Sequence, residues 1–483
     1  MLVTASLLTL LSPLGKSLYA SGGDKLSQQP NIVLILVDDL GAVDLGCYGS
    51  TYIQTPNLDK LAADGVRATR AYAAAAICSP TRAALMTGKY PARLHVTDWI
   101  RARFQRPPNT NIHVAAQDYE AAKDQPFRTP VNPFYLPLDE LTLGEYLRGR
   151  GYHTAHIGKW HLGDDAWYPE HQGYDVNLGG CDYGQPPSYF DPFNQPNAKD
   201  LMLRAGIPGI PGTNKNEFLT QREVSEAIRL MENWKDGPFY IQLCHYAVHT
   251  PIQAPAELTK KYERPGKSQQ QAKYAALVQT VDDGIGRLRA AVEQMKFERP
   301  TIFIFTSDNG GLDQAGTPTD NAPLRDGKGS PYEGGIRVPF IVWAEGGLIE
   351  AGQEIDTPIC SIDVFPTIRE LIGDTTKTPI SFDGMSIVPA LKGEMENLNK
   401  RRLVWHFPHY RGQTKPYSII QENDWKLIHH YGDEPELFHL DEDPNESRNV
   451  AAQHDDKTQE MTKTLMLELS QMGALLPTSR DKD

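Results

Sequence analysis

Residues 31–39 read Asn31-Ile32-Val33-Leu34-Ile35-Leu36-Val37-Asp38-Asp39, one Asn and six apolar residues that stop at two adjacent acids. Without strict alternation, such a run is the pattern of a strand covered on both faces. Residues 239–243, 301–306 and 338–343 have the same Ile-, Val- and Phe-rich character. Between them lie stretches with helical spacing of apolar residues: 138–150, which ends at Gly151, 218–234 and 271–295. Buried-type strands alternating with helices over residues 28–375 predict an α/β domain built on a large mixed, mostly parallel sheet flanked by helices.

After residue 372 the pattern changes. Short β-type runs at 402–406, 417–421 and 425–429, with the turn pair Asn423-Asp424, precede a helical stretch at 458–472. They predict a smaller C-terminal subdomain over residues 385–475, an antiparallel sheet plus a helix. Two stretches without a sustained period, 101–137 and 185–216, are long enough to wall a substrate pocket.

The 483 residues include 61 acidic and 48 basic side chains, a net charge of -13, with 40% hydrophobic and 23% charged residues. This suits a globular protein with a sizeable core. The acidic balance argues against nucleic acid as a partner, since phosphate tracking shows a basic footprint. No run of about 18 apolar residues follows the N-terminus, which excludes a multi-span membrane protein. Residues 1–20 are largely apolar and give way at Ala20 to Ser21-Gly22-Gly23-Asp24. They read as a signal peptide, although no Lys or Arg precedes the apolar stretch, and they predict a periplasmic or secreted protein without a membrane span in its mature form. A buried N-terminal helix is the alternative. Cys47, Cys78, Cys181, Cys244 and Cys360 are sparse and lack a Cys-X-X-Cys pair, so neither a zinc ribbon nor a disulfide scaffold is indicated.

In open α/β sheets ligands gather beyond the carboxyl ends of strands, so Asp38 and Asp39 face a crevice. Alone they fit a polar strand end before the Gly41 turn as well as a cation site. The run 301–306, however, also ends in Ser307-Asp308-Asn309-Gly310-Gly311. Asp38, Asp39, Asp308 and Asn309 are hard oxygen donors, suited to Ca2+, with Mg2+ as the alternative. In Cys78-Ser79-Pro80-Thr81-Arg82-Ala83-Ala84-Leu85-Met86-Thr87-Gly88, Ser79 reads as an N-cap, Pro80 as the first helical residue and Gly88 as the terminator. Cys78 then sits at a helix mouth, where negative charge is stabilised, and Arg82 adds a cation one turn along. The plainer reading is a buried Cys beside an ordinary capped helix.

Cys78, Pro80 and Arg82 in Cys-X-Pro-X-Arg, followed by Leu85-Met86-Thr87-Gly88, resemble the signature of type I, formylglycine-dependent sulfatases. Further matching segments are Val37-Asp38-Asp39-Leu40-Gly41, Gly158-Lys159-Trp160-His161-Leu162-Gly163, His249-Thr250-Pro251, Thr306-Ser307-Asp308-Asn309-Gly310 and residues 326–339, from Asp326-Gly327-Lys328 to Arg337-Val338-Pro339. Three C-terminal segments match as well, Trp425-Lys426-Leu427-Ile428, Glu436-Leu437-Phe438-His439-Leu440 and Asp443-Pro444-Asn445-Glu446. The resemblance runs from Asn31 to about Ala451 and implies an alkaline-phosphatase-like fold.

It also implies a chemistry. A separate maturation enzyme oxidises Cys78 to Cα-formylglycine, and residue 78 joins Asp38, Asp39, Asp308 and Asn309 around the cation. One oxygen of the formylglycine hydrate attacks sulfur, the alcohol leaves, and the second hydroxyl re-forms the aldehyde as sulfate departs. Arg82, Lys159 and Lys328 bind sulfate oxygens, His249 serves as the general acid and His161 as the partner of the formylglycine hydroxyl. Thr97-Asp98-Trp99-Ile100 and Trp405-His406-Phe407-Pro408-His409-Tyr410 resemble pieces of bacterial polysaccharide-degrading sulfatases, which points to Trp99, His406 and His409 packing on a pyranose face or bonding its hydroxyls, with core packing the equal alternative for Trp99 and Trp405. The implied substrate is a sulfated carbohydrate, with galactose or N-acetylgalactosamine units favoured. Asn57, Glu170, Tyr183, His245 and His439 are read as structural. The competing reading is a phosphomonoester or phosphodiester hydrolase of the same superfamily. Cys at position 78 argues against it, because such phosphatases carry Ser or Thr there.

Overall fold

The six apolar side chains of 32–37 find cover on both faces, because β1 (Asn31–Val37) lies fully buried inside an eight-stranded sheet. The structure, a computed structural model, describes residues 29–106, 110–113, 118–121, 123–213, 216–314, 316–374, 380–394 and 401–480. The signal-peptide expectation for residues 1–20 lies outside them.

In chain order the main elements are β1, α1 (Pro56–Ala63), β2 (Val66–Ala68), α2 (Cys78–Thr87), α3 (Leu143–Arg148), β3 (His153–Gly158), β4 (Val176–Leu178), α4 (Leu219–Asn233), β5 (Phe239–Cys244), α5 (Gln269–Met295), β6 (Thr301–Ser307), β7 (Phe340–Ala344), β8 (Gln353–Ile355) and α6 (Val364–Leu371). The sheet order is β8-β2-β7-β6-β1-β5-β3-β4. Only β7 runs antiparallel to its neighbours β6 and β2, so the sheet is mixed and mostly parallel, as expected. Helices α1, α4 and α5 cover Val33, Ile35, Ile241, Leu243 and Phe303 on one face. Helices α2, α3 and α6 cover Ile32, Leu34, Leu36, Tyr240 and Ile304 on the other. The parallel register sets Leu36 beside Cys244 and Val37 beside Ser307, so the chain leaves β1, β5 and β6 at one edge.

Two local expectations need correction. The helix expected over 138–150 is confined to α3, because Thr142 and Glu145 form a capping box in which each side chain accepts from the other's backbone N–H. Leu138 and Leu141 lie outside it, 48% and 40% exposed. Inside the aperiodic 101–137 stretch, Tyr119–Ala121 and Phe127–Pro130 pair with each other and with Thr478–Ser479 in a small sheet.

The C-terminal sheet comprises β9 (Arg402–Phe407), β10 (Tyr417–Glu422), β11 (Trp425–His430) and β12 (Glu436–His439), all antiparallel, with α7 (Asp455–Met472) packed on it through Met461, Leu465 and Leu469. Asn423 supplies the left-handed turn residue between β10 and β11, at φ 55°. The core of this sheet is continuous with Tyr72, Ile77 and Ala84, so it braces the start of α2. A buried ion cluster adds a second tie. Lys426 Nζ lies 3.0 Å from Glu333 and 2.7 Å from Glu446, and the Glu333 N–H donates to Glu446 at 2.6 Å. Glu333 belongs to the segment that carries Lys328. Burial, resisted by Lys426 and reinforced by the Glu333 charge, pushes Glu446 up to about 7.

Lys426→Met leaves two buried carboxylates without their cation, and its expected cost is about 3–5 kcal/mol. Thermal unfolding checks this as a clearly lowered midpoint. Leu467→Ala on the exposed side of α7, where Leu467 is 57% exposed, should shift stability by no more than about 0.5 kcal/mol.

Candidate active site

Backbone hydrogen bonds fix the acids at the shared strand edge. Asp38 N–H donates to Ala247 O at 2.8 Å and Val248 N–H returns to Asp38 O at 2.7 Å, which joins the end of β1 to the segment after β5. Asp308 N–H donates to Val37 O at 3.1 Å, and Asp39 N–H to Asp308 Oδ1 at 3.2 Å. Asp39 adopts φ 60°, the left-handed region that Asp tolerates better than most residues. Asn309 Nδ2 donates to Asp39 Oδ1 at 2.8 Å.

Helix α2 delivers Cys78 and Arg82. It begins earlier than the sequence suggests: Ile77 is the N-cap and makes no side-chain cap. Ser79 is instead a cross-link, since its hydroxyl donates to His161 O at 2.9 Å and accepts from Ile100 N–H at 3.0 Å. Gly88 ends the helix at φ 68°, as expected. All ten residues of α2 are buried. Cys78 Sγ lies 3.5 Å from Asp38 Oδ1. Arg82 donates through Nε to Asp308 Oδ2 and through Nη1 to Lys159 O, each at 2.8 Å.

Two loops bring the lysines. At Gly158, φ 88°, a Cβ would stand 2.0 Å from Cys244 O, so only Gly lets the chain turn there and aim Lys159 inward. Lys159 Nζ reaches Asp38 Oδ2 at 2.6 Å, and Lys328 Nζ reaches Asp39 Oδ1 at 2.6 Å. His249 Nε2 lies 3.5 Å from Asp39 Oδ2, while the Tyr189 hydroxyl holds the His249 carbonyl at 2.8 Å. His161 is buried, and among the described residues no partner meets hydrogen-bond geometry at either ring nitrogen.

Three carboxylates and three cations therefore share one buried hole. Burial and the Asp308 charge push Asp38 up, against Lys159. Burial acts the same way on Asp39 and Asp308 but is overcome, chiefly by Lys328 at Asp39 and by Arg82 at Asp308, and both are held down. Burial lifts the Cys78 thiol to about 11 and, with the Lys328 charge, lowers His249 to about 3. Ligand atoms of Asp38, Asp39, Cys78 and His249 lie within 4.8 Å of one another. Asn309 Oδ1 is buried without a hydrogen-bond partner among the described residues, an acceptor a hard cation would satisfy. The oxygen donors fit Ca2+ or Mg2+.

The structure thus brings together Asp38, Asp39, Cys78, Arg82, Lys159, His249, Asp308, Asn309 and Lys328. The proposed substrate residues divide. Trp99 and His409 line one cleft, and His409 Nε2 is bonded to Thr97 Oγ1 at 2.8 Å. His406 has both ring nitrogens occupied from within the chain, by Ser418 Oγ at 2.7 Å and Leu475 O at 3.1 Å, which leaves neither for a sugar hydroxyl. His245, read as structural, pairs with Glu223 at 2.6 Å in full burial. Nothing in the sequence marked Glu223, because an acid on an amphipathic helix reads as a solvated face.

A family model described as Sulfatase matches residues 30–374, and a second, described as N-sulphoglucosamine sulphohydrolase, C-terminal, matches residues 327–474. A Sulfatase from Formosa agariphila is 30% identical over 92% of this chain and 88% of its own length. N-acetylgalactosamine-6-sulfatase of Mus musculus is 30% identical over 98% and 90%. The crystal structure of Ps i-CgsB superposes with a TM-score of 0.77 at 28% identity, covering 92% of this chain and 93% of that one, and the same protein is also known in complex with k-i-k-neocarrahexaose. Fold, order of segments and relatives agree, and the chain belongs to the sulfatase family, the sulfuric ester hydrolases of the alkaline-phosphatase-like superfamily.

Proposed function

We propose that this sulfatase acts on carbohydrate sulfate esters, with galactose or N-acetylgalactosamine units of sulfated glycans as substrate, in the periplasm or outside the cell. The observation that carries the chemistry is the single hole in which Cys78 Sγ, 3.5 Å from Asp38 at the mouth of α2, is ringed by Arg82, Lys159 and Lys328. The carbohydrate reading is supported by the relative named N-acetylgalactosamine-6-sulfatase, by the neocarrahexaose bound to Ps i-CgsB, and by Trp99 and His409 lining a common cleft. The extracytoplasmic reading rests on residues 1–20 as a signal peptide, and no helix among the described residues is long and apolar enough to cross a membrane. Residues 28–375 are the catalytic domain and 385–475 the C-terminal subdomain in this proposal.

Residue 78 is the proposed nucleophile once a maturation enzyme has converted Cys78 to Cα-formylglycine, whose hydrate supplies a pair of hydroxyls on one carbon. Asp38, Asp39, Asp308 and Asn309 would hold Ca2+ or Mg2+, which when bound neutralises sulfate oxygens and favours an ionised nucleophile. Arg82 presents a guanidinium that can fork across two oxygens, and Lys159 and Lys328 act as point charges. His249, kept neutral in the empty hole by burial and Lys328, is the proposed acid for the departing sugar oxygen, protonated once the anionic ester brings negative charge beside it. His161, whose buried ring nitrogens meet no hydrogen-bond partner in good geometry among the described residues, is the proposed partner of the second hydroxyl at residue 78.

In protein from a host with a maturation enzyme, peptide mass spectrometry should find residue 78 about 18 Da lighter than Cys. Cys78→Ala should abolish sulfate release while the thermal midpoint is retained; turnover at the wild-type rate would remove residue 78 from the mechanism. Chelation of the purified enzyme should also stop turnover, and added Ca2+ or Mg2+ should restore it; full activity after exhaustive chelation speaks against the cation. His249→Ala should lower kcat on sugar sulfates by about 10²–10⁴-fold, with a smaller loss on aryl sulfates, whose leaving groups need less protonation. An equal loss on both would assign His249 to another task.

A further inference from the structure

The strap 97–101 is tied to the wall of the sulfate hole. It is anchored there by Ile100, whose N–H donates to the hydroxyl of Ser79, next to Cys78. Asn132 pins its other end, accepting the N–H groups of Thr97 and Asp98 at 3.0 and 2.9 Å and donating to Asp98 O at 2.9 Å. The half-buried Asp98 carboxylate accepts the Trp99 N–H at 2.8 Å and forms no ion pair within 4 Å among the described residues. A carboxylate has about four acceptor sites, so most of its capacity is unspent. On the Lys328 side stands Arg411, its Nε 3.2 Å from where a Cβ on Gly329 would be. Its guanidinium is half-buried, makes no side-chain hydrogen bond among the described residues, and acts electrostatically on Asp98.

We propose that Asp98 and Arg411 form a hydroxyl-reading subsite for the sugar that carries the sulfate, Asp98 accepting from its hydroxyls and Arg411 donating to them. This rests on the carbohydrate sulfatase reading above. Asp98 also lines a small cleft with Trp99, Arg101, Glu120 and His409, with room for a few water molecules and so for hydroxyl groups. Charge favours the same occupant: Asp98 and Glu120 outnumber Arg101 in that cleft, which gives a second sulfate no net attraction. A site built to hydrogen-bond a hydroxyl discriminates strongly against an analogue that lacks it, because its own polar groups are then left unpaired.

The test compares sulfate release from 4-nitrophenyl sulfate, which has no sugar hydroxyls, with release from the 4- and 6-O-sulfates of galactose and N-acetylgalactosamine. For Asp98→Asn and for Arg411→Ala, the ratio of kcat/KM on the best sugar sulfate to kcat/KM on the aryl sulfate should fall at least tenfold. A deoxy analogue of that sugar should lose rate with the wild type and little further with Asp98→Asn. An unchanged ratio in both variants, a parallel fall on both kinds of substrate, or a wild type that cleaves the aryl ester and none of the sugars would overturn the subsite while leaving sulfate ester hydrolysis intact. A matured wild type that releases sulfate from no ester would overturn the underlying reading and this one with it.

Discussion

Six charged side chains buried in one hole persist only as a matched set. Removing a single charge from water costs several kcal/mol, and a partner at 4 Å returns about 4 kcal/mol at an effective dielectric of 20. Asp308 with Arg82, Asp38 with Lys159 and Asp39 with Lys328 meet that condition pair by pair. The pairs draw on β1, α2 and the segments that follow β3 and β6, so any shift of one segment strands a charge on another. The sheet register that aligns the ends of β1, β5 and β6 is thus enforced by electrostatics at its edge as well as by apolar burial along its length.

The same constraint explains how α2 is held. A helix buried along its whole length presents no exposed polar face to orient it, and its rotation must be set by specific bonds. Ser79 ties its first turn to the His161 loop and to the strap at Ile100, while Arg82 ties its second turn to Asp308 and to the Lys159 carbonyl. The residues around Cys78 therefore do the positioning that an N-cap side chain would have done for an ordinary surface helix.

Much of this was legible in the sequence because the chemistry lies where apolar periodicity ends. The acids at 38–39 and 308 follow runs that can only be covered strands, and such strands lie side by side, which is enough to bring distant carboxylates together. Long-range polar pairing was not legible. Lys426, Glu333 and Glu446 look like surface charges until β11 is seen packed against the Lys328 segment, and His406 looked free until Ser418 and Leu475 were found on its ring. The cap at Ser79 was misplaced for a related reason. A Ser before Pro satisfies every local rule for an N-cap, and only the tertiary partners of its hydroxyl show that it serves two other segments. Thr142 and Glu145 are the opposite case: their capping box was present in the sequence and outranks the apolar spacing that extended the helix to 138.

Two groups of residues divide the work along a physical line. The sheet edge and α2 supply everything that must be rigid, dry and charge-matched. The strap 97–101 and the Arg411 turn after β9 supply half-exposed groups with unspent hydrogen-bonding capacity. Buried ion pairs tolerate little change, whereas polar groups at a wet mouth can be exchanged at small cost in stability. On the proposed reading, the hole sets the reaction type and its rim the choice of substrate. The C-terminal sheet takes part in both, through Lys426, which braces the Lys328 segment, and through Arg411 at the mouth.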